Sequence, residues 1–453
     1  MKKGIDLLNG HIATSLAKLA FPIMGTSLIQ MAYNMTDMIW IGRVGSNAVA
    51  AVGAAGMYIW LSNGLVMIPR VGGQVKVAHA LGAKRIDEAR TYARGALQMG
   101  AVLGILFGIL CVTCSKGLIG FFRLNSPRVV EDAMVYLAIT GGCVIFSFIN
   151  QVLAGIMTAM GNSGITFCAT TVGLVVNIVL DPVLIFGLVG FPKMDVMGAA
   201  IATVLAQAIV GGIYLLIIAK DRMIFSQIHL FHKTNKQSLS EMIKIGMPVG
   251  IQNMIFTGIS LIIARLIAGW GDAAVAVQKV GSQIESISWM TADGFAAAIN
   301  SFIAQNYGAD KKERIKKGYR TAIGIMAGWG VFTTLLLVVF PDYIFRIFIT
   351  EPEVLPMGVS YLRILGYSQL FMCLEIASSG AFQGLGKTMP PTMVGIVLTS
   401  IRIPMAMILS ATVLELDGIW WSITISSVLK GLVMPTWFII VLRKCCKTKK
   451  NIK

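Results

Sequence analysis

Charged residues are scarce in this sequence. Only 13% of its 453 residues are Asp, Glu, Lys or Arg, whereas 56% are hydrophobic and the mean hydropathy is +0.77. A soluble globular chain carries about 25% charged residues, so the composition excludes that class. We predict a protein with many transmembrane segments, whose main surroundings are the lipid bilayer.

Acidic residues are the rarer charged type, with 21 Asp and Glu against 38 Lys and Arg and a net charge of +17. Such an excess of basic residues would suit nucleic acid if it formed one patch. Here the basic residues cluster between apolar runs and in the C-terminal RKCCKTKKNIK. That placement follows the positive-inside rule and suits anionic lipid headgroups, so we predict no nucleic-acid partner.

Cysteine and histidine, with seven and four residues, lack the spacing of a metal or redox site. Cys111 and Cys114 form a CxxC pattern, but no second Cys or His pair accompanies them. Cys445 and Cys446 are either acylated or solvent-facing thiols. The N-terminus leads straight into a full-length apolar run, unlike a secretory signal peptide. No nucleophile constellation appears, so we predict no enzyme and no cofactor other than a coupling ion.

About twelve apolar runs are long enough to cross a bilayer, at roughly 20 residues each. Both termini and the segments 81–94, 220–244 and 307–320 are basic, whereas the other connecting segments are poor in Lys and Arg. We therefore predict a multi-pass protein of the plasma (cytoplasmic) membrane with both termini in the cytoplasm. The runs cover approximately residues 13–42, 48–69, 91–122, 132–158, 164–189, 197–219, 241–268, 273–304, 318–348, 356–382, 392–414 and 418–442.

The second half of the sequence repeats the first. Pro22 matches Pro248 at an offset of 226 (248 − 22), and Gly45 matches Gly271 at the same offset. We predict an all-α integral membrane protein with twelve transmembrane helices in two six-helix lobes related by a parallel internal repeat, between which a substrate path is exposed alternately. The predicted parts are an N-lobe at 1–219, a cytoplasmic loop at 220–240 and a C-lobe with a basic tail at 241–453.

The first span contains an acid. Asp37 lies near the middle of the stretch from Gln30 to Gly45, in an apolar run, where a carboxylate costs about 2.5–3.5 kcal/mol on insertion scales. Gln30, Tyr33 and Asn34 precede it by seven, four and three residues, so helical spacing predicts all four on one face. We interpret this face as part of an ion and substrate site.

A second acid lies in the fifth span. Asn177 and Asp181 are four residues apart, and Pro182 removes the backbone donor that would close the turn behind it. A carboxylate, an amide and a loosened carbonyl form a hard-oxygen site suited to H+ or Na+. With Asp37 opposite, two acids would share one pocket, where they do not both ionise easily. The alternative is that each acid pairs with an Asn or Arg for packing specificity.

Single polar residues in the fourth and sixth spans indicate a site less specifically than the acids do. Asn150, Gln151, Thr203 and Gln207 either line the site or bond one helix to another.

The second half carries its intramembrane acids at other places, because Ile263 stands at the position of Asp37 and Ile403 at that of Asp181. Glu375 in the tenth span lies at offset 225 from Asn150 (375 − 150), and we predict that it binds substrate.

The eighth span adds Gln283, a further candidate for substrate binding, with Glu285 and Asp293, which we expect to face the interior. The acids of this half either attract organic cations or are satisfied by nearby basic residues. The candidate basic partners are Arg363, Arg402 and Lys279.

Several motifs together resemble the multidrug and toxic compound extrusion (MATE) transporters, over essentially the whole chain. They are P-x14-D from Pro22 to Asp37, YNxTDxxWIGRVG, NxxxDP followed by IFG, GAAxAT, QNxGA after the eighth span and GxGKTxPP after the tenth. The seventh span has Gln252 and Asn253 where some family members carry an acid. The family branch with acids in the N-lobe is therefore nearer.

The resemblance implies an antiporter that exports organic cations and amphipathic drugs in exchange for H+ or Na+. It implies that Asp37, Asn177, Asp181 and Thr203 couple the ion, with Na+ a candidate at the first three. For substrate binding we predict Gln30, Tyr33, Asn34, Asn150, Glu375 and Gln283. We expect a monomer.

Two other classes stay open. A lipid-linked precursor flippase of the same superfamily should line its cavity with several Arg or Lys to hold a pyrophosphate. A receptor or structural membrane protein would need no energised ion site.

Overall fold

The computed structural model describes residues 4–122, 124, 126–219, 224–225, 232–349 and 351–447, and every regular element in these ranges is helical. Helices suit an apolar chain, because a bilayer offers the backbone no partner outside the segment itself. The helices are α1 (Ile12–Val44), α2 (Ser46–Gly82), α3 (Ile86–Thr113), α4 (Ser115–Gly120), α5 (Pro127–Gly142), α6 (Val144–Ala159), α7 (Ser163–Phe186), α8 (Asp195–Ala219), α9 (Lys236–Ala268), α10 (Asp272–Gly308), α11 (Lys312–Val339), α12 (Pro341–Arg346), α13 (Leu355–Gly366), α14 (Gln369–Gly384), α15 (Met389–Ser400), α16 (Arg402–Ser410) and α17 (Glu415–Lys447).

Each of the twelve predicted spans corresponds to one helix or to consecutive helices, so the all-α prediction is confirmed. Within the described ranges, nine helical stretches are long and apolar enough to cross a bilayer, and the pair α5 and α6, bent by 42°, makes a tenth. The two remaining predicted spans are α10 and the pair α13 and α14. Both contain acids, Glu285 in α10 and Glu375 in α14, which lower their mean hydropathy.

The internal repeat extends to the backbone conformation. Gly45 and Gly271, which precede α2 and α10, both have positive φ, at 142° and 101°. Lys84 and Asp310 follow the same two helices, 226 residues apart (310 − 84), and both are left-handed, with φ of 59° and 53°. L-residues rarely adopt that conformation, so its recurrence at one offset indicates that the two halves share a fold.

Contacts divide the chain into two units. The first unit comprises residues 1–6 and 21–250, and the second comprises residues 7–20 and 251–453. The division falls inside α1 and inside α9. The predicted lobes at 1–219 and 241–453 come from the repeat and stay a prediction. Lys220 and Arg222 of the predicted loop lie outside the described residues, as do the side chains of Cys445 and Cys446.

In the first unit, the beginning of α9 packs on α2. Lys76 of α2 forms an ion pair with Glu241 of α9 at 2.6 Å, and Tyr92 of α3 donates a hydrogen bond to the same carboxylate at 2.7 Å. Gly246 of α9 lies against the backbone of Ile68 in α2. The first turns of α9 are therefore held by both charge and close packing.

In the second unit, the segment before α1 is held by side chains around the α10–α11 connection. Asn306 and Arg314 donate hydrogen bonds to the carbonyl oxygen of Leu7, at 3.0 and 3.2 Å. Lys311 donates to the carbonyl oxygen of Leu8 at 2.9 Å. The apolar core of this unit includes Tyr361 of α13 and Trp420 of α17, both fully buried, whose rings meet edge to face at 5.1 Å.

Replacing Gly246 by Ala should loosen the contact of α9 with α2. A Cβ atom at this position would lie 2.1 Å from the carbonyl oxygen of Ile68, so the backbone has to move. Overpacking of this kind costs about 1–3 kcal/mol. We expect the melting temperature of Gly246→Ala in detergent, measured by intrinsic fluorescence, to fall below that of the unchanged protein.

Gly258→Ala is the matched control on the same helix, since a Cβ atom there has no neighbouring heavy atom within 4 Å. Ala is also about 1 kcal/mol more favourable than Gly inside a helix. Equal melting temperatures for the two variants would contradict the close approach at Gly246.

Candidate functional site

The fifth predicted span, helix α7, brings Asn177 and Asp181 together as the four-residue spacing predicts. The amide nitrogen of Asn177 donates a hydrogen bond to Asp181 Oδ1 at 3.1 Å, and both side chains are 0% exposed. Pro182 follows inside the same helix. The amide therefore holds one carboxylate oxygen, which fixes the direction in which the other oxygen points.

Helix α1 brings Asp37 to this pair. Its strongest electrostatic neighbour is Asp181, followed by Asn177 and Thr203. Asp37 lies seven residues before the end of α1 at Val44, which places it about two turns from the helix end rather than at mid-span. The predicted meeting of the two acids is therefore observed, with residues of α7 and α8 around them.

Two tyrosines complete the surroundings of the acids. Tyr33 of α1, 7% exposed, has Asp37, Thr203, Asp181 and Tyr136 as its electrostatic neighbours. Tyr136 lies in α5, so four helices contribute to the cluster. The sequence analysis missed Tyr136, because nothing in the local spacing of α5 relates it to residues a hundred positions away.

The cluster is rich in buried oxygen atoms, two of which belong to the hydroxyl groups of Tyr33 and Thr203 and can also donate. Five buried oxygen atoms have no hydrogen-bond partner among the described residues. Such atoms are rare in proteins, and each leaves an acceptor position unfilled. Hard oxygen ligands of this kind suit a proton or Na+. The five atoms are Tyr33 OH, Asp37 Oδ1, Asn177 Oδ1, Asp181 Oδ2 and Thr203 Oγ1.

No basic side chain in the described ranges lies within 4.0 Å of Asp37 or Asp181. The packing alternative, in which an Arg partners an acid, does not apply to them: Arg43 instead lies over the ring of Trp40 at 4.8 Å. Asp181 does have an Asn partner, Asn177, through one oxygen. The cluster thus has two carboxyl groups and no compensating cation.

The other polar residues predicted in the first half lie outside the oxygen cluster. Gln30 and Asn34 are exposed, so the face of α1 they share with Asp37 is only partly buried. Asn150 of α6 donates hydrogen bonds to Gln207 of α8, to its backbone oxygen at 2.8 Å and its side-chain oxygen at 3.0 Å. Of the two readings for Asn150, this contact favours the bond between helices.

The second half places a base beside Glu375. Lys430 of α17 forms an ion pair with Glu375 of α14 at 2.9 Å, with side chains 7% and 13% exposed. Lys430 was not among the expected partners. Arg363 and Lys279 are exposed, and Arg402 acts on Glu375 only through its charge. The signal that would have found Lys430 is its position inside the last apolar run.

The other second-half candidates differ in burial. Glu285 of α10 is half-buried, and its Oε1 atom has no hydrogen-bond partner in the described part. Asp293, expected to face the interior, is exposed instead. Eight residues are about two and a quarter helical turns, so the two side chains point in different directions. Gln283 is half-buried, and its carbonyl oxygen accepts a hydrogen bond from Ser286 at 2.6 Å.

In the described ranges, no group of three or more His, Cys, Asp or Glu residues could hold a metal ion. The described cysteines Cys111, Cys114, Cys143, Cys168 and Cys373 are all free.

Comparison with known proteins gives the same family for both halves. Residues 22–183 and 248–408 each match the family described as MatE. The probable multidrug resistance protein NorM of Thermotoga maritima is 28% identical over 401 residues, covering 88% of this chain and 86% of its own. The probable multidrug resistance protein YoeA of Bacillus subtilis is 27% identical over 415 residues, covering 90% and 89%.

The fold is also that of solved structures. A multidrug resistance MATE family transporter in an outward-facing conformation aligns with a TM-score of 0.91 and 24% identity, over 99% of this chain and 100% of that one. The two matched segments begin 226 residues apart (248 − 22), which is the offset of the internal repeat. The resemblance in the motifs is thus confirmed, and the chain belongs to the MatE family of multidrug and toxic compound extrusion transporters.

Proposed function

We propose that the protein is a secondary active antiporter that exports organic cations and other amphipathic drugs in exchange for H+ or Na+. The membership of the MatE family supports transport, and both relatives above carry the name multidrug resistance protein. The single observation that carries the exchange is the oxygen cluster, where Asp37 and Asp181 meet without a base. Such a site takes up a cation because nothing else neutralises it.

Ion coupling is assigned to Asp37, Asn177, Asp181 and Thr203. Two carboxyl groups in a low-dielectric site repel each other when both are ionised, so binding one proton or one Na+ relieves that repulsion. The bound ion removes the negative charge that attracts a cationic drug. The drug then leaves on the outer side, the lobes rock inward, and loss of the ion restores the charge for the next drug.

We assign substrate contact to polar residues of both halves. Tyr33 supplies an apolar ring and a hydroxyl beside the acids, and Gln30 and Asn34 extend the same face of α1 with exposed amides. A cationic drug would also contact Glu375 if the cationic group of the drug takes the place of the Lys430 ammonium in the ion pair. The complete proposed set is Gln30, Tyr33, Asn34, Asn150, Glu375 and Gln283.

The energy of the exchange is sufficient for drug export. Moving one charge across about 100 mV supplies about 2.3 kcal/mol. At about 1.4 kcal/mol per tenfold in concentration, that supports roughly fortyfold accumulation. One coupling ion per drug is therefore enough for an effective pump.

The protein would work as a monomer in the cytoplasmic membrane with both termini in the cytoplasm. Both repeats lie in one chain, so a single copy supplies two lobes. The basic segments 81–94 and 307–320 connect α2 to α3 and α10 to α11, on the side that the positive-inside rule assigns to the cytoplasm.

The alternative of a lipid-linked precursor flippase would need several basic residues free to hold a pyrophosphate. Among the described residues of the second half, Lys430 is engaged with Glu375. The acids of the first half have no base beside them and would repel a pyrophosphate. Antiport of cations is therefore the better-supported function.

Replacing either acid by its amide should abolish coupled efflux. Asp37→Asn and Asp181→Asn each remove the charge that attracts the ion while keeping the shape of the side chain. We expect ethidium extrusion from cells carrying either variant to fall at least about tenfold, because a lost charged interaction is worth about 1.5–3 kcal/mol.

Asp87→Asn is the matched control, since Asp87 is 95% exposed at the beginning of α3 and pairs with Arg90 on the surface. It should extrude ethidium normally at equal expression. Full efflux in Asp37→Asn or in Asp181→Asn would remove that residue from the mechanism.

The coupling ion can be assigned in proteoliposomes in which H+ and Na+ gradients are imposed separately. A proton needs one carboxylate, whereas Na+ needs several oxygen ligands. Thr203→Val and Asn177→Leu remove neutral oxygen ligands and leave both acids. We expect the two variants to abolish exchange driven by Na+ but only to weaken exchange driven by H+.

Normal melting temperatures of these variants would show that they fold. If neither gradient drives drug exchange in the unchanged protein, the antiport proposal fails.

A further inference from the structure

Helix α11 carries an uncompensated basic surface on its first turns. The side chains of Lys316, Lys317 and Arg320 are exposed, and among the described residues none of them has a carboxylate within 4.0 Å. Glu313 lies one turn before Lys317 and is exposed as well. Three positive charges and one negative charge therefore lie close together at the beginning of this helix.

The same face of α11 continues as an apolar surface. Leu335 follows Lys317 by 18 residues (335 − 317), which is five turns of the helix, so both side chains point the same way. Val331 and Val339, four residues to either side of Leu335, are exposed with it. The stretch from Lys317 to Leu335 is about 27 Å long, close to the thickness of a hydrocarbon core. The basic residues thus lie at one membrane surface, and the apolar side chains face the lipid tails.

In the first unit, the equivalent face is covered by the chain itself. Arg94 of α3 stands 226 residues before Arg320 (320 − 94), at the equivalent position of the repeat, and donates a hydrogen bond to Thr234 Oγ1 at 3.3 Å. Gln98 of α3 donates a hydrogen bond to the backbone oxygen of His232 at 2.8 Å. The segment before α9 therefore supplies the hydrogen-bond acceptors for this face of α3.

On α11 the described residues leave the equivalent place open. Gly324 stands at the position of Gln98 (324 − 98), and a Cβ atom added to it would meet no heavy atom within 4 Å in the described part of the chain. A Cβ atom added to Gly95 of α3 would lie 3.0 Å from Thr234 Cγ2. The segment before α1 is held at the α10–α11 connection instead. A group from outside the chain can therefore take the place on α11 that Thr234 has on α3.

The charge and the surroundings of this place identify its occupant. A group that binds Lys317 and Arg320 has to be anionic, and it lies at the membrane surface. The rest of the same molecule has to lie along an apolar face. A phospholipid with a net negative headgroup meets both conditions. We propose that α11 carries a binding site for one anionic phospholipid, with the phosphate on Lys317 and Arg320 and the acyl chains along the face that leads to Leu335.

Such a site differs from the general attraction between basic segments and an anionic membrane, which depends on charge and little on position. The first unit offers a comparison on the same side of the membrane. Arg85 and Arg90, at the beginning of α3, form ion pairs with Glu88 and Asp87, each at 2.8 Å. They contribute two positive charges to the protein but already have partners.

Native mass spectrometry of the purified full-length protein counts the lipids that each chain binds. The probes are phosphatidylglycerol and phosphatidylcholine with the same acyl chains. In a variant with both Lys317→Gln and Arg320→Gln, we expect the apparent dissociation constant of the first phosphatidylglycerol to rise at least about tenfold. Binding of phosphatidylcholine should stay within about twofold. The melting temperature without lipid should be unchanged, since both side chains are exposed.

A variant with both Arg85→Gln and Arg90→Gln is the matched control, because it removes the same number of positive charges. Its affinity for phosphatidylglycerol should stay within about twofold of that of the unchanged protein. Equal losses in the two double variants would show that net charge alone attracts the lipid and would overturn the site on α11. Unchanged affinity in the variant of Lys317 and Arg320 would overturn it as well.

Two other occupants of this face are outcomes of the same measurement. If inorganic phosphate at equal concentration displaces phosphatidylglycerol, the basic residues bind a free anion and the apolar face contributes nothing. If the lipid-free protein is a dimer that phosphatidylglycerol does not dissociate and that excludes the lipid, the face belongs to a second copy of the chain. Either result would reject the lipid site.

Discussion

Moving a carboxylate from water to the interior of a bilayer costs about 2.5–3.5 kcal/mol on insertion scales, and the cost falls when a counter-charge or a ligand is present. The two units of this protein meet that constraint differently. In the first unit, Asp37 and Asp181 face each other with amide and hydroxyl groups around them and no base. In the second unit, Glu375 has its own cation in Lys430. Among the described residues, the acids of the first unit therefore lack the direct ion pair that Glu375 has.

The internal repeat makes this difference visible, because equivalent helices of the two halves carry different polar side chains. The contact of Asn150 with Gln207 joins α6 to α8, and the contact of Glu375 with Lys430 joins α14 to α17. Asn150 and Glu375 correspond at an offset of 225 residues (375 − 150). Helices α8 and α17 begin at Asp195 and Glu415, which lie 220 residues apart (415 − 195) and both have positive φ, so Ser427 rather than Lys430 stands at the position of Gln207. An amide of one half thus has an acid at its place in the other, and the base that pairs with this acid lies about one turn further along α17. The scaffold fixes which positions meet, and the residue types at those positions decide whether the contact is neutral or charged.

Much of this was predictable from the sequence, and the limits have a physical cause. The helices follow from long apolar runs, the repeat from matched residues at one offset, and the Asn177–Asp181 contact from a spacing of four within one helix. Each of these signals lies within one segment or in the comparison of one half of the sequence with the other. Contacts between distant helices, such as Glu375 with Lys430, depend on how helices rotate and pack, which no spacing within one helix determines. Burial along α1 also depends on how the helices pack. Gln30 shares a face with Tyr33 by periodicity, yet only Tyr33 is buried.

Charge balance separates the roles that the two units would have in an exchange cycle. In the proposed antiport, an ion and a cationic drug would compete for the oxygen cluster, which holds two negative charges when both acids are ionised. In the second unit, Glu375 and Lys430 neutralise each other, so a cation would bind at Glu375 only by replacing Lys430. In the proposed antiport, an ion gradient would therefore act at the oxygen cluster rather than at Glu375. The duplicated backbone thus carries unlike buried charges in its two halves, and the proposed driving force for exchange would lie in the half whose acids have no base beside them among the described residues.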